Sequence, residues 1–348
     1  MNRMTPGLVI DDRHILALRR PKNRVDPQVP YASLVEPERT ATGLVEDVAT
    51  IFLTNRECPF RCLFCDLWKN TTDERVSLGA IPAQISHALA RLPQAKHIKL
   101  YNSGNFFDRQ AIPPEDYPRI ARLVAPFHTV IVENHPRLCG PLCLEFRDEL
   151  EKAAGQFPKS ADQGSLGEPS VSLSERMLDR PLTGPQLEVA LGLETVHPEI
   201  LPRLNKQMTV DDFSRAAEFL RSHQIALRAF ILLKPPFMQE DDCVEWALRS
   251  MEFAFDCGVG VCSVIPTRSG NGIMEQLERG GEFSPPRLAS LEKVLADGIA
   301  LGRGRVFVDL WEVERVFECA RCGPKRAARL SEMNLSQQFL PPIPCDCA

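Results

Sequence analysis

Residues 48–65 read VATIFLTNRECPFRCLFC, and this stretch decides the fold. Its first seven residues are mostly apolar and include several β-branched side chains, which predicts a fully buried strand over 48–54. The polar residues Asn55, Arg56 and Glu57 end that strand and begin a loop. Three cysteines follow within eight residues of the loop, so one strand end can present three thiols to a single point.

The spacing of Cys58, Cys62 and Cys65 is Cys-x3-Cys-x2-Cys, which indicates metal binding. Thiolates are soft ligands that select zinc, copper(I) or iron–sulfur clusters. A 4Fe–4S cluster normally takes four cysteines, so three ligands with no obvious fourth on the loop would leave one iron open to another ligand. A zinc knuckle or a cysteine cluster without redox activity is the alternative that the spacing leaves open.

The same motif, with the aromatic Phe64 before its third cysteine, resembles the signature of the radical S-adenosylmethionine (SAM) superfamily. The resemblance implies that Cys58, Cys62 and Cys65 are the catalytic residues and ligate a 4Fe–4S cluster whose open iron chelates SAM. It also implies that one electron, from a donor such as flavodoxin or ferredoxin, cleaves SAM to methionine and a 5′-deoxyadenosyl radical. The cofactors to be expected are therefore the cluster and SAM.

The composition is ordinary for a globular protein, with 348 residues of which 44% are hydrophobic and 25% are charged. A net charge of −5 provides no global basic field of the kind that nucleic-acid-binding proteins carry. Twelve cysteines without a secretory leader indicate metal or redox use in a reducing compartment, not disulfides. No stretch approaches the length of a membrane span, so we expect a cytoplasmic protein without a membrane partner.

Strands and helices alternate from residue 48 onward. The predicted strands are 48–54, 97–101, 129–133, 187–194, 225–233 and 259–265, with 305–311 as an additional strand. The predicted helices are 81–92, one that ends over 120–125, 143–154, 211–223 with Thr209 as its N-cap, 241–257 and 285–302. This alternation predicts a parallel sheet with right-handed crossovers. Six such units match the α/β fold of the superfamily, a partial (βα)6 TIM-like radical SAM barrel.

Three parts of the chain are expected on this basis. Residues 1–45 are rich in proline and arginine and predict an irregular N-terminal lead-in. Residues 46–270 form the core barrel, interrupted by a mobile insertion at about 155–185 where Pro, Gly and Ser replace the periodic pattern. Residues 271–348 form a C-terminal extension that contains four cysteines.

Functional residues of a parallel α/β barrel gather where strands end and loops begin. The resemblance implies that these strand ends bind SAM, together with the loop aromatic: Phe64, Ser103, Gly104, Asn105, Glu194, Pro266 and Thr267. Asn105 stands where the superfamily carries an acidic residue, so this match is imperfect. For Glu194, a ligand ammonium or ribose hydroxyl and a neighbouring cation are equally acceptable partners. Other polar residues at strand ends can reach a substrate, namely Glu133, Arg228 and Lys234, whereas His135 is expected to be structural.

Residues 192–206 resemble a segment of the subgroup that contains the tRNA methylthiotransferases, the elongator catalytic subunit and the archaeosine-type enzymes. That resemblance favours a modified tRNA base as the substrate. The acidic net charge favours a small metabolite or a peptide instead, and a non-catalytic iron–sulfur or zinc module is the alternative from a different class. A basic group near the C-terminus bears on this choice: Arg321, Lys325, Arg326 and Arg329. Such a group is either a solvated face or a site for a phosphate-bearing partner.

A second set of cysteines lies near the C-terminus. Cys319 and Cys322 form a Cys-x2-Cys pair, and Cys345 and Cys347 form a Cys-x-Cys pair. Two such pairs joined by a modest loop have the spacing of a metal site, and four thiolates complete the ligand shell of zinc or of an auxiliary iron–sulfur cluster. The spacing therefore favours a second metal centre, with the tail folded back onto the segment after Trp311. Because Cys-x-Cys is tighter than the usual second half of such a site, four free thiols are the alternative.

Overall fold

The structure of the protein is a computed structural model, which describes residues 10–155 and 184–344. The described strands are Ala32–Arg39 (β1), Val45–Phe52 (β2), His97–Tyr101 (β3), Thr129–Asn134 (β4), Gln186–Glu194 (β5), Ala226–Leu233 (β6), Val261–Pro266 (β7) and Arg305–Val308 (β8). They form one sheet whose spatial order is their order in the chain. β1 is antiparallel to β2, and β2 to β8 are parallel to one another.

Helices follow the parallel strands and cover one face of the sheet. The described α-helices are Asp12–Ala17 (α1), Ala80–Leu89 (α2), Tyr117–Val124 (α3), Pro141–Gly155 (α4), Ile200–Arg203 (α5), Val210–Ser222 (α6), Glu240–Asp256 (α7), Ile273–Arg279 (α8), Leu288–Ala300 (α9) and Gly323–Ser336 (α10). Because successive side chains of a strand point to opposite faces, Ile98 and Leu100 of β3 belong to the same apolar core as Ile81 of α2. Lys99 then points to the inner face, where it meets carboxylates of β1.

Contacts between strands that are not neighbours in the sheet show that the sheet curls. Glu38 of β1 lies 2.5 Å from the guanidinium of Arg228 on β6, and Lys99 lies 2.6 Å from the other oxygen of Glu38. Arg305 of β8 donates to the backbone carbonyl of Arg39 at 2.8 Å, so the first and last strands approach each other. The predicted α/β fold with a partial TIM-like barrel is confirmed.

The structure places β1 inside residues 1–45, the segment predicted to be an irregular lead-in. Sequence reasoning missed this strand because Pro37 and three charged residues interrupt any apolar alternation. Proline is tolerated in a strand at the edge of a sheet, where one side of the backbone has no strand to pair with. β8 likewise lies beyond residue 270, so the barrel sheet extends past the predicted core at both ends.

Most predicted elements agree with the structure to within three residues. Strand β3 coincides with its prediction, and Thr209 caps α6 by accepting a hydrogen bond from the backbone of Asp212. Helices α1, α5, α8 and α10 were not predicted. The insertion predicted at about 155–185 lies almost wholly outside the described residues. No helix in the described parts of the chain is long and apolar enough to cross a lipid bilayer.

Candidate functional site

The three-cysteine loop leaves the carboxyl end of β2 and enters the barrel mouth. Cys62 is buried, and Cys58 and Cys65 are half-buried. Burial raises the pKa of the Cys62 thiol to about 12, and burial followed by the neighbouring thiols of Cys62 and Cys58 raises that of Cys65. The three thiols are therefore close enough to influence one another. Among the described residues, no group of three or more His, Cys, Asp or Glu side chains has the geometry to hold a single metal ion.

An N-terminal segment holds the start of this loop through charges. Glu57, which precedes the first cysteine, accepts ion pairs from Arg19 at 2.6 Å, Lys22 at 2.7 Å and Arg61 at 3.2 Å. The Glu57 side chain is 14% exposed, so these contacts are only partly screened by solvent. This network fixes the approach of the chain to Cys58.

Two further contacts fix the middle and the end of the loop. The Phe60 ring stacks on His135 with a centroid distance of 3.8 Å, and Nε2 of His135 lies 3.0 Å from the carbonyl of Lys206. Burial, followed by the charge of Lys206, lowers the pKa of His135 to about 3, so His135 is neutral at pH 7. The side-chain amide of Asn271, just after β7, donates to the carbonyls of Leu63 at 2.8 Å and Cys65 at 3.0 Å.

The turn after β3 lies directly against the cysteine loop. Asn105 donates to the Sγ of Cys58 at 3.1 Å. A Cβ atom on Gly104 would come within 3.2 Å of the Cβ of Cys58, so glycine permits this close approach. The Ser103 hydroxyl lies 2.9 Å from that of Tyr31, and its backbone is left-handed with φ of 53°. Two residues of the predicted SAM turn, Gly104 and Asn105, therefore lie against the first cysteine, and Ser103 contacts Tyr31.

The Glu133 carboxylate on β4 fixes this turn through hydrogen bonds to its backbone. It accepts hydrogen bonds from the backbone N–H groups of Asn102 at 2.6 Å and Gly104 at 3.3 Å. Burial raises the pKa of Glu133 to about 7, although these N–H groups oppose the shift. Glu133 was expected to reach substrate, whereas its contacts assign it to positioning the turn. Both amide atoms of Asn102 are buried without a hydrogen-bond partner among the described residues, so polar groups remain available here for a ligand or water.

The end of β5 carries a buried ion pair. Nζ of Lys206 lies 2.8 Å from Glu194, and both side chains are less than 10% exposed. A register shift between Gly192 and Glu194, with φ of 66° at Glu194, aims this carboxylate at Lys206. A Cβ on Gly192 would lie 2.6 Å from Nζ of Lys206, so only glycine leaves room for the pair.

Lys206 also interacts electrostatically with the thiols of the cysteine loop. Burial alone would lower the pKa of Lys206, but Glu194 and the thiols of Cys62 and Cys58 raise it to about 12. The ammonium therefore stays charged between a carboxylate and two of the three cysteines. Sequence reasoning placed Lys206 in a subgroup segment but gave it no role, because its two partners are distant in sequence.

The remaining predicted residues have the following positions. Pro266 and Thr267 are buried at the end of β7, and the Thr267 hydroxyl donates to the carbonyl of Leu233 at 2.9 Å. Phe64 is half-buried and packs against both apolar clusters of the protein. Arg228 was expected to reach a substrate, but its guanidinium forms ion pairs with Glu38 and Glu188 inside the protein.

Two C-terminal predictions have different outcomes. The basic group was expected to be a solvated face or a phosphate site, and this is wrong for half of it. Arg326 and Arg329 are buried and pair with Glu292 of α9 at 2.7 and 3.3 Å. Sequence inspection missed this because the acidic partner lies more than 30 residues away. Cys319 and Cys322 lie just before α10, whereas Cys345 and Cys347 lie outside the described residues.

Comparison with known proteins bears on this site. No protein-family model matches the chain. An uncharacterised protein of Methanocaldococcus jannaschii is 23% identical over 260 residues, which cover 71% of this chain and 63% of that protein. Archaeosine synthase subunit beta of Methanosarcina acetivorans is 26% identical over 271 residues, or 74% of this chain and 69% of that protein.

These similarities agree with the resemblance of the chain to the radical SAM superfamily near the archaeosine and elongator group. A solved structure of Methanocaldococcus infernus Elp3 with an N-terminal deletion is also similar. It has a TM-score of 0.46 and 14% identity over 73% of this chain and 58% of that one. A similarity this low supports no conclusion about function.

The residues at the barrel mouth fit a thiolate-bound cluster. Three soft thiol ligands share one loop, an amide donates to one of them, and a buried ammonium lies beside two of them. Ligands of a cluster bind separate irons and lie farther apart than ligands of one ion. The absence of a single-ion site in the described residues is compatible with that arrangement.

Proposed function

We propose that this chain is a radical SAM enzyme that reductively cleaves SAM at a 4Fe–4S cluster ligated by Cys58, Cys62 and Cys65. One observation carries the proposal. Three thiols share a loop at the carboxyl end of a parallel barrel strand, where this fold class places its reactive groups. When bound, the cluster supplies the electron that converts SAM to methionine and a 5′-deoxyadenosyl radical.

We assign the binding of SAM to the turns around that loop. Ser103, Gly104 and Asn105 would contact its amino-acid part, because this turn touches Cys58 and offers short polar groups at a glycine. Glu194 can accept from a ribose hydroxyl with the oxygen that does not pair with Lys206. Backbone groups of Pro266 and Thr267 would contact adenine.

Other residues orient the loop and exclude water. The Phe60–His135 stack and the buried side chain of Cys62 leave little solvent around the thiols. Asn271 fixes the carbonyl of Cys65, so the third ligand cannot turn away. A dry and rigid site is what a reactive radical requires, because water and mobile side chains would otherwise quench it.

For the substrate we propose a modified tRNA base. The support is the curated relative that carries the name archaeosine synthase subunit beta, and the word subunit in that name also supports a partner chain. Because this chain spans only part of its relatives, their whole activity is not transferred to it. The alternative is a small metabolite or peptide, which is favoured by the net charge of −5 and by the internal pairing of Arg326 and Arg329.

The test is anaerobic reconstitution with iron and sulfide, followed by addition of dithionite and SAM. We expect 5′-deoxyadenosine from the wild type and from Cys257→Ala, a half-buried cysteine at the end of α7. Cys62→Ala should give none and should bind less iron. If a cluster-loaded wild type forms no 5′-deoxyadenosine, the enzyme proposal fails and a non-catalytic iron–sulfur module becomes the better description.

A further inference from the structure

Tyr31 connects the N-terminal segment to the turn after β3. It directly precedes β1, and its backbone N–H donates to the carbonyl of Phe52, the last residue of β2, at 3.0 Å. The Tyr31 ring lies against that of Phe52 with a centroid distance of 5.6 Å. The Tyr31 hydroxyl lies 2.9 Å from the hydroxyl of Ser103, in the turn where we place SAM. Both the backbone and the ring of Tyr31 are therefore held against β2 while its hydroxyl contacts the turn.

A buried glutamine fixes the residues that lead to Tyr31. The Gln84 side chain of α2 donates to the carbonyls of Pro27 at 2.8 Å and Thr54 at 2.7 Å, and it accepts from the backbone N–H of Thr54 at 2.7 Å. The Thr54 hydroxyl donates to the carbonyl of Val29 at 3.0 Å. The segment before β1 is thus tied to the end of β2, and Tyr31 has little freedom to move away from the turn.

The turn needs support because Ser103 has a left-handed backbone with φ of 53°. Residues other than glycine adopt this conformation rarely, and it costs free energy unless the surroundings fix it. Glu133 holds the backbone N–H groups of Asn102 and Gly104, which flank Ser103. The contact with Tyr31 holds the side chain of Ser103 itself.

The Tyr31 phenol is suited to act as the donor in this contact. Burial raises the pKa of the phenol, and the charge of Glu133 adds to the shift, although the hydrogen bond to Ser103 opposes it. The phenol therefore keeps its proton at pH 7 and can donate it to Ser103. The hydroxyl proton of Ser103 then remains available to a ligand, because a hydroxyl can accept one hydrogen bond and donate another.

We propose that Tyr31 is a positioning residue of the SAM site and that it acts through Ser103. Its hydroxyl holds Ser103 in the left-handed conformation before SAM arrives, so SAM does not have to order the turn when it binds. This inference rests on the proposed binding of SAM at that turn. The two residues are 72 positions apart in the sequence, so no local motif links them.

The test measures SAM binding to anaerobically reconstituted protein by calorimetry. The change that SAM causes in the electron paramagnetic resonance spectrum of the dithionite-reduced cluster is the second readout. Tyr31→Phe removes one oxygen atom and keeps the ring against Phe52. Loss of one neutral hydrogen bond should raise the dissociation constant of SAM by about 2- to 12-fold. Iron content and circular dichroism should match those of the wild type.

Two further variants make the test specific. Tyr117→Phe is the matched control, because the Tyr117 hydroxyl on α3 is buried without a hydrogen-bond partner among the described residues. Its removal should leave SAM binding unchanged. Ser103→Ala tests the route of the effect. If Tyr31 acts through Ser103, adding Tyr31→Phe to Ser103→Ala should weaken SAM binding no further.

Two results would overturn the role of Tyr31. One is a Tyr31→Phe protein that binds SAM as tightly as the Tyr117→Phe control. The other is a Tyr31→Phe/Ser103→Ala protein whose loss of affinity is the product of the two single losses, as for independent sites. A wild type that binds SAM but forms no 5′-deoxyadenosine contradicts only the proposed cleavage, and the comparison of variants still decides the role of Tyr31. A cluster-loaded wild type that binds no SAM contradicts both.

Discussion

The ion pair between Lys206 and Glu194 predicts that, in the absence of any ligand, Lys206 stabilises the fold by compensating the buried charge of Glu194. The two side chains are 8% and 6% exposed and lie 2.8 Å apart. Lys206→Met removes the ammonium but keeps an unbranched chain of similar length. Glu194 then remains as a buried carboxylate without its ion-pair partner.

The expected magnitude follows from that burial. Removing one partner of a buried pair destabilises a protein by about 3–5 kcal/mol, because the other charge stays desolvated and uncompensated. The double variant Glu194→Gln/Lys206→Met removes both charges and should recover most of that loss. Lys293→Met is the matched control, since its partner Asp297 lies at a similar distance of 2.7 Å but the pair is 65% and 38% exposed. Exposed pairs contribute about 0–1 kcal/mol.

The assay is urea unfolding of the metal-free protein followed by circular dichroism, with SAM binding measured by calorimetry on the reconstituted protein. We expect a large loss of stability in Lys206→Met, a small one in Lys293→Met and recovery in the double variant. A Lys206→Met protein as stable as the control would refute the reasoning. Glu194 would then be held for a ligand, with Lys206 making no contribution to its burial.

Two further predictions concern pH and nucleic acid. The folded-state pKa of Glu133 is raised from 4.5 to about 7, so the folded protein binds a proton at this carboxyl more tightly than the unfolded chain does. The resulting contribution to the stability of the fold is complete below about pH 4.5 and is lost as the pH rises to 7. The free energy of unfolding should therefore fall by up to about 3 kcal/mol over that range. Glu133→Gln should flatten this slope, the exposed Glu145→Gln should not, and equal slopes in all three proteins would contradict it. If tRNA is the substrate and is bound through about four phosphate contacts, raising the salt from 50 to 200 mM should weaken its binding by about 50- to 150-fold. Arg321→Gln/Lys325→Gln should reduce that dependence, and a filter-binding assay with no RNA retained at 50 mM salt would contradict RNA as the substrate.

Local pattern was enough to predict the parallel sheet. The strand over 97–101 coincides with β3 because every one of its residues suits a buried or half-buried strand between a loop and a turn. Thr209 was recognised as a helix cap because capping depends on residues only three positions apart. The edge strand β1 was missed for the converse reason, since Glu38 is stabilised by Arg228, 190 residues away.

The residues of the candidate site likewise divide into those that local sequence predicts and those that only the tertiary structure shows. Its three thiols form a motif within eight residues, and the turn at Ser103–Asn105 follows a strand that the pattern predicts. The carboxylate that holds this turn, Glu133, comes from the neighbouring strand, and its function depends on the parallel register of β3 and β4. No periodicity within either strand carries that information.

The N-terminal segment shows most clearly why the tertiary structure was needed. Arg19 and Lys22 looked like ordinary charges of an irregular lead-in, yet both bind Glu57, the residue before the first cysteine. α1 also places Ile15 against Leu63 in a small apolar cluster of its own. One segment therefore stabilises the cysteine loop by charge at its start and by packing at its centre. If the loop binds a cluster, whose ligands tolerate little movement, this segment would position those ligands without binding the cofactor itself.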